Sequence, residues 1–255
     1  MDIKKFGLTL LLVSSALYAT PSMAGELITN GGFESAGVDV YNINGWNAAE
    51  DGVVGSVLVE NDTITDASGR NTVGAASGSN YALLDSFFIS NQALYQTFTT
   101  SAVSSASLSF QMFVNNQSSN GAQINAAGLD YTSAGSFDAN QHVRVDLLNA
   151  GASIFSTNIS DIAQSFYLGG SNGNSMIGSD IANPYINYQF DLSNTLAAGG
   201  TYTLRFASVT NEGQLQLGVD NVSLSVAPVP EPESYAMILA GLGLMGAVAR
   251  RRKTK

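Results

Sequence analysis

Cysteine is absent from the 255 residues, which excludes disulfides, thiol nucleophiles, iron–sulfur clusters and cysteine-type zinc sites. An exported domain of this size can fold without disulfides, so the absence does not argue against export. Lysine is nearly missing: Lys4, Lys5, Lys253 and Lys255 are the only four, and all lie in the terminal segments. Between Gly25 and Val226 the bases are Arg70, Arg144 and Arg205 against 17 acids, a balance of −14. A phosphate backbone needs a basic stripe, so nucleic acid is excluded as a partner. Divalent cations and neutral polymers are compatible with that charge. Charged residues are only 12% of the chain, and Gly, Ser, Asn and Thr fill the polar positions, a mixture suited to turn-dense antiparallel sheets. The 45% hydrophobic content sets the chain apart from disordered sequences.

The two ends differ from the middle. Lys4 and Lys5 precede an apolar stretch, Phe6–Ala19, and Ser22-Met23-Ala24 places small residues where a signal peptidase cuts before Gly25. Residues 1–24 therefore read as a signal peptide. At the other end stands Val229-Pro230-Glu231-Pro232-Glu233, then an uncharged run, Ser234–Ala249, then Arg250, Arg251, Arg252 and Lys253. Prolines 228, 230 and 232 end the preceding domain, since none can donate to a strand ladder or continue a helix. As a helix, Tyr235–Ala249 would span about 22 Å. That is a short transmembrane helix against a hydrocarbon core of roughly 30 Å, with the basic cluster on the cytoplasmic side.

This tail resembles the PEP-CTERM sorting signal of Gram-negative bacteria, with Pro230, Glu231 and Pro232 as its motif and Arg250–Lys253 as its basic end. The resemblance implies an exosortase-type processing partner, transient residence in the inner membrane, removal of the tail, and a final place at the cell surface or outside the cell, where such proteins accompany extracellular polysaccharide.

From Glu26 to Val226 short alternating segments are separated by Gly, Asn and Ser, the pattern of an all-β domain, a β-sandwich or jelly roll spanning residues 25–226 ahead of the 227–255 tail. Leu108, Phe110, Met112 and Val114 share one strand face, as do Val143, Val145 and Leu147, and Tyr202, Leu204 and Phe206. Asn211-Glu212-Gly213 then reads as the turn of a hairpin into a last strand, Gln214–Val226. In that strand Leu215, Leu217 and Val219 alternate on odd positions, whereas Val222, Leu224 and Val226 alternate on even ones. The phase slips at Asp220-Asn221, so a β-bulge is expected there. The segments 115–140 and 160–185 are Gly/Asn/Ser-rich and give no assignment.

Asn30-Gly31-Gly32-Phe33-Glu34, Gly45-Trp46, Ala93–Phe98 and Val219-Asp220-Asn221-Val222 together resemble the galactose-binding-like jelly roll of family 4, 9 and 22 carbohydrate-binding modules. The resemblance implies a structural Ca²⁺ with Glu34 and Asp220 as ligands. The bland alternative makes Glu34 a solvated turn acid and Asp220 a cap of the bulge. Sugar binding rests on aromatic platforms; the candidates are Trp46, Tyr41, Tyr131 and Tyr167, with Trp46 equally readable as a core plug and the tyrosines as packing for their own loops.

No catalytic residue is assigned. His142, the sole histidine, alternates with Arg144 and Asp146 opposite Val143 and Val145, which reads as the solvated face of a half-buried strand. Gly-x-Ser-x-Gly, His-Glu-x-x-His and Walker patterns are missing, and no segment singles out a pair of acids for glycoside hydrolysis. The chain thus reads as a non-enzymatic, exported, polysaccharide-associated matrix protein. A self-associating surface protein without a sugar site is the alternative, and a matrix-glycan hydrolase a third.

Overall fold

The computed structural model describes residues 24–35, 37, 41–52, 55–65, 67–87, 89–118, 120–132, 138–170, 181–229 and 232–253. The signal-peptide reading, apart from Ala24, and residues Pro230 and Glu231 lie outside them. Two compact units result, one of them Ala24–Val229.

That unit is an all-β sandwich of two antiparallel sheets. Its strands are β1 (Gly25–Glu26), β2 (Asn47–Gly52), β3 (Gly55–Glu60), β4 (Tyr81–Ser86), β5 (Ser90–Thr100), β6 (Val103–Asn116), β7 (His142–Asn149), β8 (Ile162–Gly169), β9 (Ile186–Asp191), β10 (Gly200–Thr210) and β11 (Leu215–Pro228). One sheet has the order β3-β4-β11-β6-β9, with β1 also paired to β11; the other has the order β2-β5-β10-β7-β8. The arrangement fits a jelly roll.

Period-two alternation forms the core as expected. Leu108, Phe110, Met112 and Val114 from β6 face Val143, Val145 and Leu147 from β7 and Leu204 and Phe206 from β10 within one continuous buried cluster. Trp46 lies in it, its ring centroid 5.5 Å from Phe33 and 6.1 Å from Phe206. The bulge is where the phase slip places it: the β11–β6 register shifts between Asp220 and Ser223, and Asn221 takes φ 52°. The strand runs on to Pro228, two residues past the boundary expected from sequence.

Two expectations are corrected. β10 and β11 are not a hairpin, because they belong to different sheets. The Gln141 side-chain oxygen accepts from the Thr210 hydroxyl at 2.6 Å and from the Gly213 amide at 3.0 Å, which anchors the turn while the chain crosses the sandwich. Nor is the His142–Arg144–Asp146 face solvated: all three are buried. Leu129, with Tyr131, Ile154 and Phe155, packs on Ala93, Ala207 and Val209, so loops cover this outer face of the five-stranded sheet.

The second unit includes α1 (Pro232–Lys253), with proline at its first position, where no backbone donor is needed. Among the described residues no helix is long and apolar enough to cross a membrane. Gly241, Gly243 and Gly246 dilute the apolar run, and Arg250–Lys253 closes it.

Candidate functional site

The Asn-Gly-Gly-Phe-Glu turn and the bulge of β11 meet. The Val222 amide donates to the Gly31 carbonyl at 2.9 Å, and a Cβ on Gly31 would lie 1.8 Å from the Val222 oxygen, so only glycine allows the approach. Asn30 Nδ2 donates to the carbonyls of Ser35 and Asn44, and Trp46 Nε1 donates to the Asn30 carbonyl at 3.1 Å. Trp46 is 6% exposed. It is a core plug, and its ring is not available to stack on a ligand.

Glu34 and Asp220 come together on one loop. Glu34 Oε1 accepts from the amides of Ser79 and Asn80 at 2.7 and 2.9 Å. Asp220 Oδ2 accepts from the amides of Ala76 and Ser77 at 2.9 and 3.0 Å, and its Oδ1 accepts from Asn221. The Asn80 and Ser79 amides hold Glu34 below the usual carboxylate range. Burial pushes Asp220 up; the three amides oppose it and the Glu34 charge adds to it. Among the described residues, neither acid is in an ion pair, and no group of three or more His, Cys, Asp or Glu side chains gathers. The oxygens present are carboxylate, the Ser77 hydroxyl and the Asn221 carboxamide, linked to each other at 2.7 Å. These oxygens are of the type a hard cation takes, while the five amides that donate to the two carboxylates make both acids caps of the 76–80 loop and the bulge.

The outer face of the five-stranded sheet holds a buried ion network. Asp146 accepts from Arg144 Nε and Nη2 at 2.6 and 2.9 Å and from Arg205 Nε and Nη2 at 3.1 and 2.7 Å. Arg205 also donates through Nη1 to the Ile154 carbonyl, tying the covering loop to the sheet. Burial alone would raise Asp146, but the Arg144 hydrogen bond and both guanidinium charges bring it below its ordinary value. His142 sits on the same face with neither ring nitrogen in a hydrogen bond of good geometry. Its pKa is pushed down to about 4, chiefly by burial, which the Gln123 backbone only partly offsets. The sequence held one signal for this network: two of the three bases between Gly25 and Val226 fall at polar alternation positions, Arg144 on the strand that also carries Asp146 and Arg205 on another.

The three tyrosines differ. Tyr131 is half-buried against the Leu129 cluster. Tyr167 is half-buried against the main core, edge-on to Tyr188 at 5.9 Å. Tyr41 is 61% exposed and lines a cleft with Glu50, Asp51, Asp85, Phe87 and Gln92, none of which except Tyr41 the sequence singles out.

Residues 228–253 match the family model of the PEP-CTERM protein-sorting motif. No curated protein matches the chain. Among solved structures it is similar to TmCBM61 in complex with β-1,4-galactotriose, at 12% identity and a TM-score of 0.45 over 78% of this chain and 97% of that one. It is similar to the K3 cleaved adhesin domain of Lys-gingipain from Porphyromonas gingivalis w83, at 12% identity and 0.45 over 80% and 100%. It is also similar to the enzymatically active domain of tailspike protein 4 of bacteriophage CBA120, at 14% identity and 0.43 over 79% of this chain and 21% of that one. The chain thus spans about a fifth of the tailspike structure.

Proposed function

We propose that this chain, exported and transiently anchored through the PEP-CTERM motif of residues 228–253, is a non-enzymatic, polysaccharide-associated protein of the cell surface or extracellular matrix. The tail carries the reading. Its motif implies handling by an exosortase-type enzyme, and it directly follows the last strand of a self-contained sandwich. The non-enzymatic part is supported by His142 and Asp146, the pair a catalytic role would use: the histidine is buried, and the aspartate is held by two guanidinium groups. Association with saccharide rather than nucleic acid is supported by the −14 balance of the mature domain. A structural calcium ion held by Glu34 and Asp220 belongs to the same proposal and is supported by the two carboxylates lying on one loop beside the Ser77 hydroxyl and the Asn221 carboxamide.

The test is expression of the full chain in an exosortase-bearing host, beside a variant with Pro230, Glu231 and Pro232 replaced by alanine. The wild type should reach the surface or medium shortened at its C-terminus, and the variant should stay full-length in the membrane fraction. Equal processing of both would refute the sorting role. Retention of glycan by the processed wild type, read on a glycan array, tests the second half.

A further inference from the structure

At the pole of the sandwich where β2 passes to β3 and β4 to β5, a cleft of about 570 Å³ opens. Its floor is built from fixed polar groups. Asp85, 1% exposed, accepts from the Thr65 hydroxyl at 2.5 Å. Gln92, fully buried, accepts from the Ser86 hydroxyl at 2.8 Å and donates to the Asp85 carbonyl at 3.3 Å. On the β2 wall Glu50 is steadied by the Val57 amide, while the exposed Asp51 carboxylate makes no hydrogen bond among the described residues. The rim carries Tyr41 and Phe87, the latter 36% exposed. Among the described residues the cleft has no Lys, Arg or His in its lining.

The strand register locates the cleft. Gly52 faces Ser90, Gly55 faces Ser86, and Ser86 faces Leu215 at the start of β11. The sorting segment follows the other end of β11, which runs 14 residues from Leu215 to Pro228. At the rise of an extended strand that is roughly 40 Å. The cleft therefore opens at the pole of the sandwich opposite Pro228.

We propose that this cleft is the saccharide site and that it takes an uncharged sugar chain. This rests on the polysaccharide-associated reading above and deepens it. Aromatic rims suit the apolar face of a pyranose ring. Ionised carboxylates only accept hydrogen bonds, and the hydroxyls of a sugar are the donors they need. Asp51 and the free oxygen of Glu50, consecutive on β2, each accept from a sugar hydroxyl, while Gln92 braces the floor beneath them through Ser86 and Asp85. With three carboxylates and no base in the lining, a uronate or sulfate group is repelled.

The experiment measures binding to the Gly25–Val229 domain, whose core and strand pairings all lie within that unit. The probes are soluble β-1,4-glucan, β-1,4-galactan and α-1,4-glucan oligosaccharides, with oligogalacturonate as the anionic comparison. Calorimetry should show binding of at least one uncharged probe, weakened tenfold or more by Tyr41→Ala and by Asp51→Asn, and none of oligogalacturonate. Both substitutions are at exposed positions, and unchanged melting temperatures confirm that the fold is intact. If an uncharged probe binds equally to both variants, the site lies elsewhere and only the cleft assignment falls. Preference for oligogalacturonate overturns the charge argument. If no saccharide binds on these probes or on the glycan array, the polysaccharide-associated reading falls with it.

Discussion

The carboxylate of Asp146 on β7 and the guanidinium of Arg205 on β10 meet 2.7 Å apart with both side chains fully buried. Arg144 closes the same carboxylate from its own strand at 2.6 Å. Two cations thus share one anion beneath a loop, in a domain with only three bases.

Removing the shared anion should be severe. Asp146→Ala leaves two guanidinium groups without their partner, and losing one side of a buried pair costs about 3–5 kcal/mol. Urea unfolding of the Gly25–Val229 domain should show that loss. A change below about 1 kcal/mol would mean that water reaches the face and replaces the carboxylate.

His142 gives the domain a pH dependence of predictable sign. The folded ring resists protonation to about pH 4, whereas an unfolded histidine takes up its proton near 6.5. The unfolded chain therefore binds more protons in that window, and stability falls as pH drops from 6.5 toward 4. The difference corresponds to about 3 kcal/mol at most. His142→Leu should flatten the dependence between those pH values. Asp146, whose folded pKa is depressed, loses its contribution only at still lower pH. A wild-type stability that is level across the window would contradict the burial of the ring.

Two aromatic residues separate folding from binding. Trp46→Ala opens a cavity between Phe33 and Phe206 and should cost about 3–5 kcal/mol. Tyr41→Ala, at an exposed site, should change stability by no more than about 0.5 kcal/mol. Thermal unfolding of the two variants measures the contrast, and the reverse order would refute the assignments.

The proposed calcium ion has its own thermal signature. Calcium should raise the melting temperature of the wild type, and Asp220→Ala should abolish the rise. Because burial makes the folded Asp220 hold a proton more readily, protons compete with the cation, so the rise should shrink as the medium becomes acidic. A wild type indifferent to both calcium and chelator would remove the ion from the proposal.

Sequence and structure agree where one physical rule governs. Period-two runs in β6, β7 and β10 give the buried faces because a strand has only two sides, and a slip in that period at Asp220-Asn221 can only be a bulge. Agreement ends where alternation is ambiguous. The same pattern fits a hairpin or a crossing between sheets, and the Gln141 anchor that decides it lies some 70 residues upstream. Alternation also takes the polar face to be wet, whereas Arg144, Asp146 and Arg205 satisfy one another and stay dry. The cleft draws on residues between Tyr41 and Gln92 whose spacing follows no period, and only its tyrosine was visible as a candidate.

The place of β11 in its sheet sets an order of events during export. It lies between β4 and β6, and it is the last strand of the domain to be synthesised. Before it arrives, β3-β4 and β6-β9 can exist only as separate ribbons with open edges, and β1 has no strand to join. The sandwich therefore cannot close until residues 215–228 have emerged, immediately ahead of the sorting segment. A truncation before Leu215 should yield an aggregating fragment rather than a smaller domain.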